Sequence, residues 1–172
     1  MNLREAIVKE HSKIQCNRIV SWVGDDQKKF DSLFQLLISD DSLLSQRASW
    51  PVSNCVLNYP QLIENNFEKL IANLNKTGLH DAVKRNTVRL LQFIDIPLKH
   101  QGAVMNICFE FVASPETAVG IKAFSLSILG KLANQYPEII PEIKLLIDEQ
   151  LHRQTAAFKC RAKVLLKQFS KE

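Results

Sequence analysis

The feature that most constrains this chain is a recurrence of about 38 residues. Four segments align on a basic residue: QRASWPVSNCV from Gln46, KRNTVRLLQFI from Lys84, IKAFSLSILGK from Ile121 and CRAKVLLKQF from Cys160. Their basic residues, Arg47, Arg85, Lys122 and Arg161, lie 38, 37 and 39 positions apart. A small or polar residue follows each (Ala48, Asn86, Ala123, Ala162), and seven places beyond the basic residue stands Asn54, Gln92, Leu129 or Gln168. A second marker runs in its own phase: Pro60, Pro97 and Pro137 are 37 and 40 residues apart. Proline suits the first turn of a helix, where its missing N–H would find no partner anyway. Each proline therefore opens one helix and each basic motif lies early in the next. Two interleaved markers define a two-helix unit, and periodicity of this length is the signature of a solenoid.

Apolar spacing agrees. Leu62, Ile63, Phe67, Leu70, Ile71 and Leu74 recur at steps of three and four, as do Phe30, Leu33, Phe34, Leu37 and Ile38, and Ile139, Ile140, Ile143, Leu146 and Ile147. Glycine is scarce, with five in 172 residues, which suits helices better than strands and turns. Helices are expected near 3–10 and 12–23. Four pairs follow, with first members near 27–38, 61–74, 98–112 and 138–150, and second members near 42–57, 80–94, 117–134 and 156–169. Asp25-Asp26 and Asp40-Asp41 fall at helix starts, where acidic caps stabilise the first turn. A single helical pair cannot hide its apolar face, so stacked neighbours must share a core. The expected fold is all-α: one domain over 1–172, an α-α superhelix of about four helix pairs. Residues 1–24 form an N-terminal cap or degenerate repeat.

The run Asp81-Ala82-Val83-Lys84-Arg85, with the basic-plus-small opening of the second helices, resembles the D-x-x-V-R-x-x-A pattern of HEAT repeats over about residues 26–170. The resemblance implies a right-handed HEAT/ARM-like solenoid whose second helices line a concave face. Two departures stand out. Asn86 replaces the usual alanine, and Pro51 sits inside a second helix. Proline in a helix interior removes a donor and disfavours helical geometry at the residue before it. A kink there, or a helix starting near Arg47, is expected.

The resemblance would bring Arg47, Arg85, Lys122 and Arg161 into register on the concave face. They form either a cationic ladder for an acidic peptide or phosphate backbone, or braces bonding an acid or carbonyl of the next repeat. Family precedent favours the braces. Arg85 and Arg89 share a helix face beside Lys84. Trp50 lies three residues after Arg47 and reads as a core residue before it reads as an exposed hot spot. The candidate partner-binding set is Arg47, Trp50, Asn54, Arg85, Arg89, Gln92, Lys122 and Arg161. The last helix carries Lys159, Arg161, Lys163, Lys167 and Lys171 with no acid before Glu172. Cations there also answer the helix dipole.

No nucleophile elbow, Walker loop, dinucleotide-binding glycine motif or H-E-x-x-H occurs, so no enzyme is expected, and no cofactor or metal. Cys16, Cys55, Cys108 and Cys160 are far apart in apolar helical patterns and read as buried free thiols of a reducing cytoplasm. The N-terminus is charged throughout, and no run reaches the ~18 apolar residues a membrane span needs. Net charge is +4 with a pI near 8.9, which permits a phosphate-rich partner without requiring one. These features together point to a non-catalytic interaction or scaffold module for a protein or peptide. The alternative is a nucleic-acid-binding HEAT-like protein with a basic groove, using Trp50 as a stacking platform.

Overall fold

The computed structural model describes residues 1–170, so Lys171 of the C-terminal basic run lies outside the described residues. The described residues form ten α-helices and no strand: α1 (Leu3–Lys9), α2 (Lys13–Val23), α3 (Gln27–Leu37), α4 (Ser42–Asn58), α5 (Phe67–Leu74), α6 (Asp81–Leu91), α7 (Leu98–Ala113), α8 (Val119–Ala133), α9 (Ile140–Gln150) and α10 (Ala156–Gln168). Pro60 and Pro137 open short 3-10 segments, Pro60–Asn66 and Pro137–Ile139, that lead into α5 and α9, and Pro97 immediately precedes α7. The proline marker thus falls at the entry to three of the four first helices, the exception being α3, which opens at the Asp26 cap.

Side chains chosen by local chemistry set the starts. Asn2, Ser12, Asp26 and Asp41 each accept hydrogen bonds from backbone N–H groups of the turn they cap. The Asp26 carboxyl is held below the usual carboxylate range, chiefly by the backbone N–H of Lys29. His80 does the same work for α6, its Nδ1 accepting from the N–H of Ala82 at 3.0 Å.

The chain divides into two compact units, Met1–Ile94 and Asp95 onward. In the first, α4 is the hub, packed against α1, α2, α3 and α6. Its buried Leu44, Ala48, Val52, Cys55 and Val56 share the interior with Phe30, Leu33 and Phe34 of α3 and Val83 and Val88 of α6. Pro51 neither ends this helix nor delays its start. α4 runs unbroken from Ser42 to Asn58, capped at Asp41, with Pro51 itself buried. Packing on four neighbours overrides the loss of one backbone donor, because burial of the whole apolar face is worth more than one ladder bond. The alternative start near Arg47 therefore does not occur, and the helix begins at Ser42, within the 42–57 span read from the sequence.

In the second unit α8 is the hub, packed against α7 and α10. It buries residues around most of its circumference, including Ile121, Leu126, Ile128, Leu129 and Leu132. α10 contributes Phe158, Ala162, Leu165 and Phe169 at steps of three and four. Close approach is set at Gly130. A Cβ built there would come within 2.1 Å of Leu165 Cδ2, so only glycine lets the buried Leu165 seat against α8.

The 38-residue period reappears in space as hydrogen bonds between successive repeats. Asn54 Nδ2 donates to Cys16 Sγ at 3.5 Å, Asn86 Nδ2 to Ser49 Oγ at 2.8 Å, and Lys76 Nζ to the Ile38 carbonyl at 2.9 Å. In the second unit Gln150 Nε2 donates to the Val112 carbonyl at 2.6 Å, and Gln168 Nε2 to the Gly130 carbonyl at 3.2 Å. Each joins residues 37 or 38 positions apart.

Gly130→Ala is expected to destabilise the protein by about 1–3 kcal/mol despite alanine's better helix propensity, because the buried Leu165 must leave its rotamer. Urea denaturation of Gly130→Ala, Leu165→Ala and the double variant tests this. The two losses must be markedly sub-additive, and simple additivity would reject the steric account.

Candidate partner-binding groove

Within Met1–Ile94, α4 and α6 pack side by side with the α1–α2 turn at one edge. They enclose an open groove of about 360 Å³, lined by His11, Gln46, Trp50, Ala82, Arg85, Asn86 and Arg89. Three of these, Trp50, Arg85 and Arg89, belong to the set read from the sequence. Arg85 and Arg89 sit one helical turn apart on α6, while Gln46 and Trp50 sit one turn apart on α4. No carboxylate lines the groove.

Each side chain is held differently. Arg89 Nη1 donates to Asn54 Oδ1 at 3.0 Å and Ser53 Oγ at 3.3 Å, both neutral acceptors on α4. Asn54 is in turn tied to Cys16, so Arg89 is fixed from behind by a chain of uncharged groups and keeps its full charge toward the groove. Arg85 is exposed. Among the described residues neither arginine forms an ion pair; the nearby Asp81 pairs with Lys84 at 3.7 Å. Trp50 is half-buried, between the core and hot-spot readings, and its ring meets His11 in an edge-on arrangement with centroids 5.9 Å apart. Asn86, the departure from the family's alanine, is explained here. Its amide donates to Ser49 Oγ, which itself donates to the Gln46 carbonyl at 2.7 Å, so the substituted residue ties α6 to α4 and contributes a polar wall.

The remaining sequence-selected residues lie elsewhere. Arg47 donates from Nη1 to the carbonyls of Ile7 and Val8, joining α4 to the end of α1. Asn54 lies behind Arg89, and Gln92 donates to the carbonyl of Arg89 at 3.2 Å. Lys122 is 2% exposed, with Nζ donating to Gln150 Oε1 at 2.8 Å. That burial removes it from any contact surface: a residue read as partner-binding is an internal tie of the second unit. Arg161, half-buried on α10, also belongs to the second unit. The braces at Arg47 and Lys122 use backbone carbonyls and an amide, not the acids that were one alternative. His11 and Gln46 were missed. Only the turn between α1 and α2 brings His11 over Trp50, and nothing in the repeat pattern marks it.

Three thiols are buried as expected. Desolvation pushes Cys16 up to about 11, with Asn54 and Arg89 pulling weakly the other way, and pushes Cys55 and Cys108 up to about 12. Cys160 is a correction: it is exposed, because it falls two residues from Phe158 and so points away from the buried stripe of α10.

A HEAT repeat domain family model matches residues 3–169, nearly the whole chain. The fold defines a helical-repeat scaffold, and the chain belongs to the HEAT-repeat family. Neither the curated proteins nor the solved structures yield a match. Among the described residues no group of three or more His, Cys, Asp or Glu is placed to hold a metal ion, and no helix is long and apolar enough to cross a membrane.

Two outcomes follow from this chemistry. Native-state alkylation at neutral pH is expected to modify Cys160 at least tenfold faster than the other three thiols, read by peptide mass mapping; equal rates would contradict the burial. Lys122→Met should fold with undiminished stability at pH 7, since Gln150 Oε1 still accepts from Gln154 Nε2 at 3.0 Å and a buried charge is removed. Burial holds the Lys122 ammonium below its ordinary value of 10.5. Between its folded and unfolded values the unfolded chain binds more protons, so wild-type stability rises with pH toward 10.5 relative to Lys122→Met. Urea melts from pH 7 to 10 check this, and a pH-independent difference would refute it.

Proposed function

We propose that this HEAT-repeat chain is a non-catalytic cytoplasmic binding module that takes an acidic segment of a protein or peptide partner into the groove between α4 and α6. The single observation that carries this reading is the pair Arg85 and Arg89. Two guanidinium groups line one open groove with no carboxylate in its wall, and neither is neutralised by an ion pair among the described residues. Guanidinium groups left unpaired beside a half-buried tryptophan favour a carboxylate-bearing partner, since bidentate Arg–carboxylate bonds are short, directional and charge-assisted. Arg89 is pre-set by Asn54 and Ser53, so little side-chain freedom is lost on binding. Arg85, exposed in the same groove, is the second guanidinium offered to the ligand. The volume suits one or two side chains, not a whole domain face.

Titration with a Glu-rich peptide, a Lys-rich control and single-stranded DNA, followed by Trp50 fluorescence in a Trp22→Phe background, tests the reading. The acidic peptide should bind and the basic one should not. Arg85→Ala should weaken binding by at least about tenfold, the loss of one charge-assisted contact, while leaving the thermal unfolding curve in place. Unchanged affinity in Arg85→Ala would remove the groove from consideration. Steeply salt-dependent binding of DNA, with no binding of the acidic peptide, would transfer the site to the nucleic-acid reading.

A further inference from the structure

The second unit carries a cleft that the groove reading does not use. It lies at the end of α9 and along α10, has a volume of about 420 Å³, and is lined by Leu151, His152, Lys159, Lys163 and Leu166. Lys159, Lys163 and Leu166 follow one another at i, i+4 and i+7, so the cleft runs along roughly 10 Å of helix. Leu151 and Leu166 make its apolar floor, and two exposed lysines stand at its rim without an ion pair among the described residues. From Gln150 to Ser170 the chain holds Arg153, Lys159, Arg161, Lys163 and Lys167 and no acid. Whatever covers this cleft therefore presents an apolar ridge flanked by carboxylates. An occupant that satisfies its own backbone needs no hydrogen-bond partner from the cleft. A helix does so, and an extended peptide does not.

A helix of that description is present in the same chain. α9 exposes Glu142, Leu145, Asp148 and Glu149, with Leu145 59% exposed at the centre. Glu142, Leu145 and Glu149 are spaced i, i+3 and i+7 and share one face. None of these acids forms an ion pair among the described residues. One short stretch thus offers both halves of a complementary contact: an acid-flanked leucine on α9 and a lysine-rimmed leucine cleft on α10. We infer that the occupant of the cleft is α9 of a second copy, giving a two-fold homodimer in which each copy supplies its ridge to the other's cleft. Two-fold symmetry makes every such contact twice, which is how a patch of modest area reaches useful affinity. The cleft and the ridge share no residue with the α4/α6 groove, so this inference stands apart from the proposed function.

Sedimentation equilibrium of the full chain from low to high micromolar concentration is the test. Wild type should be a reversible dimer whose dissociation constant rises with salt. Lys163→Glu and Glu149→Lys should each weaken self-association about tenfold or more, by placing like charges opposite each other. Mixing the two variants should restore a heterodimer, since it holds one wild-type contact and one charge-reversed contact, both complementary, while circular dichroism shows both variants folded. A wild-type chain that stays monomeric at several hundred micromolar would overturn the inference. So would a dimer indifferent to both substitutions, or a cleft that binds an unrelated acidic helix while the chain does not self-associate.

Discussion

No helical hairpin in this chain can hide its apolar face alone, and everything else follows from how neighbours solve that problem for each other. α4 and α8 are the clearest cases. Each is a second helix, each is flanked on more than one side, and each buries residues around most of its girth. The demand is strong enough to carry α4 through Pro51 and to require glycine at position 130, where α10 would otherwise meet a side chain.

Apolar contact is not directional, so something else must fix one repeat against the next. Polar side chains separated by one repeat length do this. Asn54 to Cys16, Asn86 to Ser49, Gln150 to Val112 and Gln168 to Gly130 are bonds that each span one repeat length from donor to acceptor. These amides are half-buried, and one that loses its partner between helices costs free energy, so they penalise a slipped register. Arg47 and Lys122 act alongside them, although Lys122 reaches only 28 residues to Gln150: both cations donate to neutral oxygens. The consequence for binding is direct. Of four basic residues that look equivalent in an aligned repeat, two are structural ties, and Arg85 is the one left free of such a tie in an open groove.

Most of the fold was legible in the sequence because helical periodicity and capping are local. The starts at Asp26 and Asp41, the proline-led first helices and the buried faces of α3, α5 and α9 all follow from residues within a turn or two of each other. The site was half legible. Trp50, Arg85 and Arg89 were accessible to reading because they share helix faces with the repeat marker. His11 and Gln46 were not, because their role depends on where the α1–α2 turn passes over α4. The burial of Lys122 was hidden for the same reason. Its aliphatic stem and charge look identical in sequence whether the facing group is water or the amide of Gln150.

By itself, then, the sequence determined the period, the helical hairpin as the unit, the family, and the chemistry of the exposed charges, since all of these rest on residues near one another along the chain. Tertiary structure alone decided which charges remain available. Availability depends on what stands opposite a side chain after packing. Arg85 faces an open groove without acids, Arg47 faces two carbonyls, Lys122 faces an amide in the interior, and Cys160 faces solvent. Those neighbours come from segments some thirty to forty residues distant, or from the far side of the same helix, and no local pattern encodes them.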